Sequence, residues 1–190
     1  MTTSQQPYAA RLEIDYPESL DRGTTLFRMI WIIPIAIVQS LLTGGLTLAT
    51  ALMIAGRQRY PRWWFDFALE LTRFGARTGA YAGLLTDRYP STVDEQSVHL
   101  EIDYPDVERD LNRWLPLVKW LLAIPHYVVL AVLWLLAIAA VVLAWFAILF
   151  TGRYPRSLFD FVVGVGRWTL RVNAYALLLV TDQYPPFSLR

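Results

Sequence analysis

Arginine carries the most conspicuous chemistry in this chain. Asp66, Glu70, Arg73 and Arg77 follow one another at steps of four, three and four residues. At about 100° per residue they fall on one narrow stripe of a helix running from 63 to 85. A second segment, 158–180, places Asp160, Gly164, Arg167 and Arg171 in the same slots. A guanidinium offers five donors and does not shed its charge, so each of these arginines must meet carboxylate, phosphate, carbonyl or water. Asp66, Glu70 and Asp160 supply fewer acids than Arg73, Arg77, Arg167 and Arg171 supply cations. The surplus is expected to face lipid phosphate or a permeating anion, with backbone carbonyls as the plain alternative. A second basic set, Arg59 and Arg62 with their counterparts Arg153 and Arg156, neighbours Tyr60, Trp63, Trp64 and Tyr154. Such a set fits anionic head-groups and ordinary interfacial anchoring about equally.

Catalytic chemistry is not expected. Cysteine is absent, and the two histidines, His99 and His126, stand far apart in sequence. Gly-x-Ser-x-Gly, a phosphate loop and His-Glu-x-x-His are all missing. His126 follows Pro125 in an apolar run, and the matching position earlier in the chain is Ile35. It is expected to hydrogen-bond a neighbouring helix rather than to move protons or hold metal. Asp66 and Asp160 lie near helix starts, where an acid suits the dipole. No catalytic, cofactor or metal residue is therefore assigned, and the chain is expected not to be an enzyme.

The elements that must position the arginines come from the apolar pattern. The chain has 190 residues, 55 % hydrophobic and 17 % charged, with mean hydropathy +0.36 and net charge +1. General disorder and nucleic-acid binding are excluded by that balance. Residues 29–55 carry no charge, and 120–150 carry no acid, lysine or arginine. Each exceeds the ~20 residues that cross a bilayer core of ~30 Å. The charged first 25 residues leave no room for a cleavable leader, so the first run is expected to be an uncleaved anchor. Pro34 and Pro125 predict a kink near the start of each run. Trp114, Lys119 and Trp120 suit the water–lipid boundary, so the crossing proper is expected to begin near Pro125.

The chain is also written twice. Leu12-Glu-Ile-Asp-Tyr-Pro17 recurs unchanged as Leu100 to Pro105, and Arg59-Tyr-Pro-Arg62 as Arg153 to Arg156. Phe65-Asp-Phe67 matches Phe159 to Phe161, and Thr-Asp-x-Tyr-Pro closes each unit at 86–90 and 181–185. The expected domains are 1–97, a first module with its polar linker, and 98–190, a second module, related by a pseudo-two-fold axis. Leu12, Ile14 and Tyr16 alternate with Glu13 and Asp15, which predicts a short strand with an acidic face. The same holds around Leu100. That face reads as a solvated edge more readily than as a cation site, because no calcium-loop spacing is present. The closing Tyr-Pro segment is expected to pair with the opening strand of its own module.

The charged helix admits two placements. Lying flat, its arginines reach head-groups. Embedded, two arginines in each of the two helices would together cost roughly 10–14 kcal/mol unless paired or hydrated. The narrow stripe on an otherwise apolar helix, and the same-side pairing expected of each module's opening and closing strands, which needs an even number of crossings, favour an embedded hairpin. The Gly75, Gly79, Gly83 ladder permits close helix approach within it.

Four pieces of the second module, Trp120-Leu-Leu-Ala-Ile-Pro-His-Tyr, Phe150-Thr-Gly-Arg-Tyr-Pro-Arg, Phe159-Asp-Phe-Val-Val-Gly and Arg171-Val-Asn-Ala-Tyr, carry a family resemblance. The chain resembles the bacterial membrane proteins grouped as domain of unknown function 4389, here as a tandem duplication. The first module departs from the pattern at Ile35 and Gly79. The resemblance implies a bacterial membrane and no activity.

The expected fold is a mainly α membrane protein. It would be a tandem-repeat bundle of four membrane-embedded helices, two per repeat, with short extramembrane β-strands. The expected function is non-enzymatic: assembling in the bilayer and organising or binding anionic lipid or a membrane partner. An oligomeric pore or transporter lined by the Arg stripes is the alternative, and a lipid-active enzyme ranks last. The expected partners are membrane lipids, anionic ones included, and further copies or a membrane protein. The expected location is a bacterial inner or plasma membrane, crossed several times.

Overall fold

A computed structural model describes residues 8–33, 35, 37, 39, 45–91 and 96–190. Strand β1 (Ala10–Ile14) leads to helix α1 (Arg22–Trp31), α2 (Leu46–Arg57) and α3 (Arg62–Ala82). The second half repeats the plan with β2 (Val98–Ile102), the short α4 (Val107–Asp110), a 3-10 turn at Leu115–Leu117 and α5 (Lys119–Leu122). The long α6 (Ile124–Thr151) and α7 (Arg156–Ala176) complete it.

The strands pair differently from the sequence expectation. β1 runs antiparallel to β2, the opening strand of the other module, with Leu12 opposite Leu100 and Arg11 opposite Glu101. Because Leu12 and Leu100 are equivalent in the repeat, this pair sits on the pseudo-two-fold. The closing Tyr-Pro segments are not strands. Leu84 and Leu179, both at φ 60°, turn the chain sharply after α3 and α7. Thr86 and Thr181 then spend their hydroxyls on the amides of Arg88 and Gln183, so these segments form turns and offer no ladder.

Four membrane helices are not supported either. Among the described residues, α6 alone is long and apolar enough to cross a membrane. Helix α2 has 12 residues, about 18 Å at 1.5 Å per residue, well short of a bilayer core. Helices α3 and α7 carry charge along one stripe, which removes them from the apolar class. The kink expected at Pro34 lies outside the described residues. Near Pro125 the helical path is interrupted as expected: α5 ends at Leu122 and α6 starts at Ile124, with Ala123 between them. Pro125 occupies the first turn of α6, where its missing N–H costs nothing.

The elements stack in three layers. One face of α7 meets α6, where Trp168 Nε1 donates to His126 Nδ1 and Trp134 Nε1 to Thr169 Oγ1. The opposite face meets the β ribbon, where Phe159 packs edge-on against Tyr16 and Arg167 reaches Leu12. Helix α3 repeats this, with Trp64 bonded to Thr50 of α2 and Phe65 against Tyr104 beyond β2. The ribbon therefore forms one outer layer, α3 and α7 the middle, and α2 and α6 the other outer layer. The main core draws residues from both modules, among them Leu12, Ala68, Leu100, Val162 and Leu170.

The outer face of α6 stays uncovered. His126, Leu130, Ala137, Ala144 and Ile148 are buried on one side. Val128, Leu135, Leu136, Leu143, Phe146 and Phe150 are exposed on the other.

Candidate functional site

Each arginine stripe lands on the strand of the other module. Asp15 and Asp103 donate their amides to Ser97 and Ala9, so the odd-numbered pairs of the ribbon exchange hydrogen bonds. By alternation, Leu12 and Leu100 aim their carbonyls outward from the two edges. A two-stranded ribbon is all edge, and these carbonyls need partners. Arg167 Nε donates to Leu12 O at 2.9 Å, and Arg73 Nε donates to Leu100 O at 3.1 Å. Arg73 also pairs with Glu70 at 2.6 Å. Farther along, Arg77 donates to Ser91 O and Arg171 to Ser188 O. The four stripe arginines are thus engaged by backbone carbonyls.

The Arg-Tyr-Pro-Arg corners interlock in the same crossed sense. Tyr104 donates its hydroxyl to Tyr60 O at 2.6 Å, and Tyr16 donates to Tyr154 O. Arg62 lies over the Tyr104 ring at 4.6 Å and Arg156 over Tyr16 at 4.4 Å, a distance at which the ring quadrupole attracts the cation. Arg62 and Arg156 also pair with Asp66 and Asp160 one turn on. Burial pushes the Tyr60 phenol up to about 12, so it stays protonated and donates to Leu178 O at 3.1 Å. Arg59, Arg62, Arg153 and Arg156 remain exposed, beside exposed Trp63 and Phe150.

A third set was missed at the sequence level. Lys119 is expected at the water–lipid boundary, yet Lys119 and its counterpart Arg28 are both fully buried. Arg28 pairs with Asp87 and donates to Thr86 O. Lys119 pairs with Asp182 at 2.7 Å and donates to Thr181 O at 2.7 Å. Tyr81 and Tyr175 cover the two cations. Burial holds the Lys119 ammonium below its ordinary value, while Asp182 pulls it back up. The free carboxylate oxygens accept the amides of Asp21 and Asn112. The signal was available: Arg28 and Lys119 each stand six residues before the Ile-Pro proline, and each aspartate belongs to a closing Thr-Asp.

The remaining candidates stay apart. His126 is buried and stacks on Phe187 at 4.0 Å, with Trp168 as its hydrogen-bond donor. His99 faces Asp15 on the ribbon surface. Arg11 bridges Glu101 and Asp103, whose hydrogen bonds raise its already high pKa. Arg77 borders a polar cavity of about 710 Å³ shared with Asp15, Asp87 and His99. Among the described residues, no group of His, Cys, Asp or Glu is placed to hold a metal ion.

No curated protein and no solved structure matches the chain. The family described as "Domain of unknown function (DUF4389)" matches it twice, over residues 22–93 and 114–188. Both matches include the apolar run, the Arg-Tyr-Pro-Arg corner and the arginine helix, and both omit the ribbon strands. Two matched regions covering most of the chain, each with the same crossed contacts, place this protein in the DUF4389 family as a tandem duplication.

Proposed function

We propose that this protein is a non-enzymatic membrane protein that binds and organises anionic lipid. The observation that carries this reading is the bare outer face of α6, apolar from Val128 to Phe150, on a helix of whose most apolar stretch only 22 % is buried on any side. A core helix of a water-soluble protein would be mostly covered, and an exposed apolar surface of this extent calls for lipid or a partner. The anion-binding role passes from the stripe to the corners. Arg73, Arg77, Arg167 and Arg171 are engaged by carbonyls, whereas Arg59, Arg62, Arg153 and Arg156 face outward beside large apolar side chains. Each basic side chain near an anionic surface contributes about 1 kcal/mol. The same engagement of the stripes leaves the pore reading with less support.

The test is flotation of the purified chain with vesicles of phosphatidylcholine alone and of phosphatidylcholine with phosphatidylglycerol. Binding should be stronger to the second, and Gln at Arg59, Arg62, Arg153 and Arg156 should remove most of that difference. Equal binding of the two proteins to both vesicles would refute anionic-lipid recognition.

A further inference from the structure

We infer that α6 lies along the membrane plane within one leaflet and does not cross the bilayer. The inference rests on the lipid-binding reading above and adds the orientation. It follows from where the charges sit relative to the middle of α6.

The β ribbon is level with that middle. Trp134 bonds to Thr169, which sets the centre of α6 beside the Gly166–Thr169 stretch of α7. The same stretch meets the ribbon on its far side: Arg167 holds Leu12 O, and a Cβ at Gly166 would stand 3.4 Å from Leu12 Cδ2. The outward face of the ribbon is charged and wet. Arg11, Glu101 and Asp103 have side chains 41 %, 70 % and 57 % exposed. Asp15 and His99 are similarly open.

A crossing α6 would carry this charged face to the centre of the bilayer, where ionised side chains are expensive. Turned by a right angle, the same molecule separates its surfaces. The ribbon then stands two layers above the apolar face, roughly 20 Å at about 10 Å per packed layer. Exposed Leu48 and Leu52 of α2 lie in the same outer layer as α6. The pseudo-two-fold through Leu12 and Leu100 becomes the membrane normal. Both modules then meet the same leaflet, and both arginine corners stand at one depth. The 28 residues of α6, ~42 Å long at 1.5 Å per residue, also need no tilt to fit a ~30 Å core.

The chain has no cysteine, so single nitroxide labels can be placed cleanly at V128C, L135C, F146C and E13C. All four native side chains point away from the core. Each full-length variant is bound to phosphatidylcholine–phosphatidylglycerol vesicles, and label depth is measured from oxygen and nickel-chelate accessibility. The expected result is one shared shallow depth for the three α6 labels, with the Glu13 position in water. A label at Leu135 about 10 Å deeper than that at Val128, seven residues of rise away, would establish a crossing and overturn the inference. Low oxygen access with spin–spin broadening at Leu135 would show a second copy covering the face, and would overturn it as well. Absence of vesicle binding by the unlabelled chain would instead refute the lipid-binding reading itself.

Discussion

Arg73 and Arg167 are the residues that tie the halves together. Each satisfies a carbonyl on the exposed edge of the ribbon from the opposite module. A hydrogen bond to a charged group contributes about 1.5–3 kcal/mol. R73Q and R167Q should each lower stability by about that much in chemical denaturation, and R73Q/R167Q should lower it further without changing vesicle binding per folded molecule. Tyr60 makes a second residue-level claim. Its folded pKa, about 12, lies above the 10.0 of an unperturbed phenol. The unfolded chain therefore loses this proton first as pH rises. The stabilisation is full below pH 10 and is lost between pH 10 and 12. On the order of 2–3 kcal/mol is at stake for a shift of about two units. Y60F, which cannot ionise, should flatten that part of the alkaline stability profile.

At the scale of elements, the apolar helices end in matching ways. The amides of Gln58 and Gly152 each close the last turn, on Ile54 O and Ile148 O, with φ at 46° and 73°. Glycine adopts the left-handed region freely, but a residue with a Cβ pays roughly 1–2 kcal/mol there. Glycine's larger loss of chain entropy offsets part of that. Q58G should therefore raise stability by about 0.5–1 kcal/mol, measurable as a shifted denaturant midpoint. Helix α7 shows a different constraint. A Cβ on Gly164 would stand 2.9 Å from Leu189 O, so this glycine admits the C-terminal segment that Arg171 holds through Ser188 O.

The whole molecule is a pair of modules that complete each other. The ribbon pairing, the Arg73 and Arg167 bonds to it, the Tyr104 and Tyr16 bonds and the Phe65–Tyr104 and Phe159–Tyr16 contacts cross between halves, so a single module lacks a partner for each. The register offers a specific escape. Because Leu100 sits at the pairing centre, β2 can pair with a second β2 in the same register, setting His99 against Glu101 twice. Residues 98–190 expressed alone in mild detergent should therefore form a symmetric dimer by light scattering. A folded monomer would contradict the view that the crossed contacts supply the missing surface. Substituting proline for Glu101, whose amide belongs to the ladder across the ribbon, removes two of those bonds by symmetry and should break the dimer.

The sequence by itself determined the repeat, the family, the helical stripes, the apolar runs and the two opening strands. These depend on local period and on copying, which composition and spacing record directly. The start of α6 at the Ile-Pro was equally legible, because proline fixes its own backbone and suits a first turn. Partner choice was decided by the tertiary structure. Nothing in the alternation of Leu12, Ile14 and Tyr16 says which strand will meet it, and the answer lay in the other module. The arginine surplus was visible as a surplus of charge, with carbonyls as one outlet, but nothing in the sequence says that the carbonyls of Leu100 and Leu12 in particular lie within reach of Arg73 and Arg167. The buried Arg28 and Lys119 show the same gap. A charge looks like surface until the fold brings Asp87 and Asp182 from some sixty residues away to neutralise it, because burial and pairing are properties of three-dimensional neighbours and not of position along the chain.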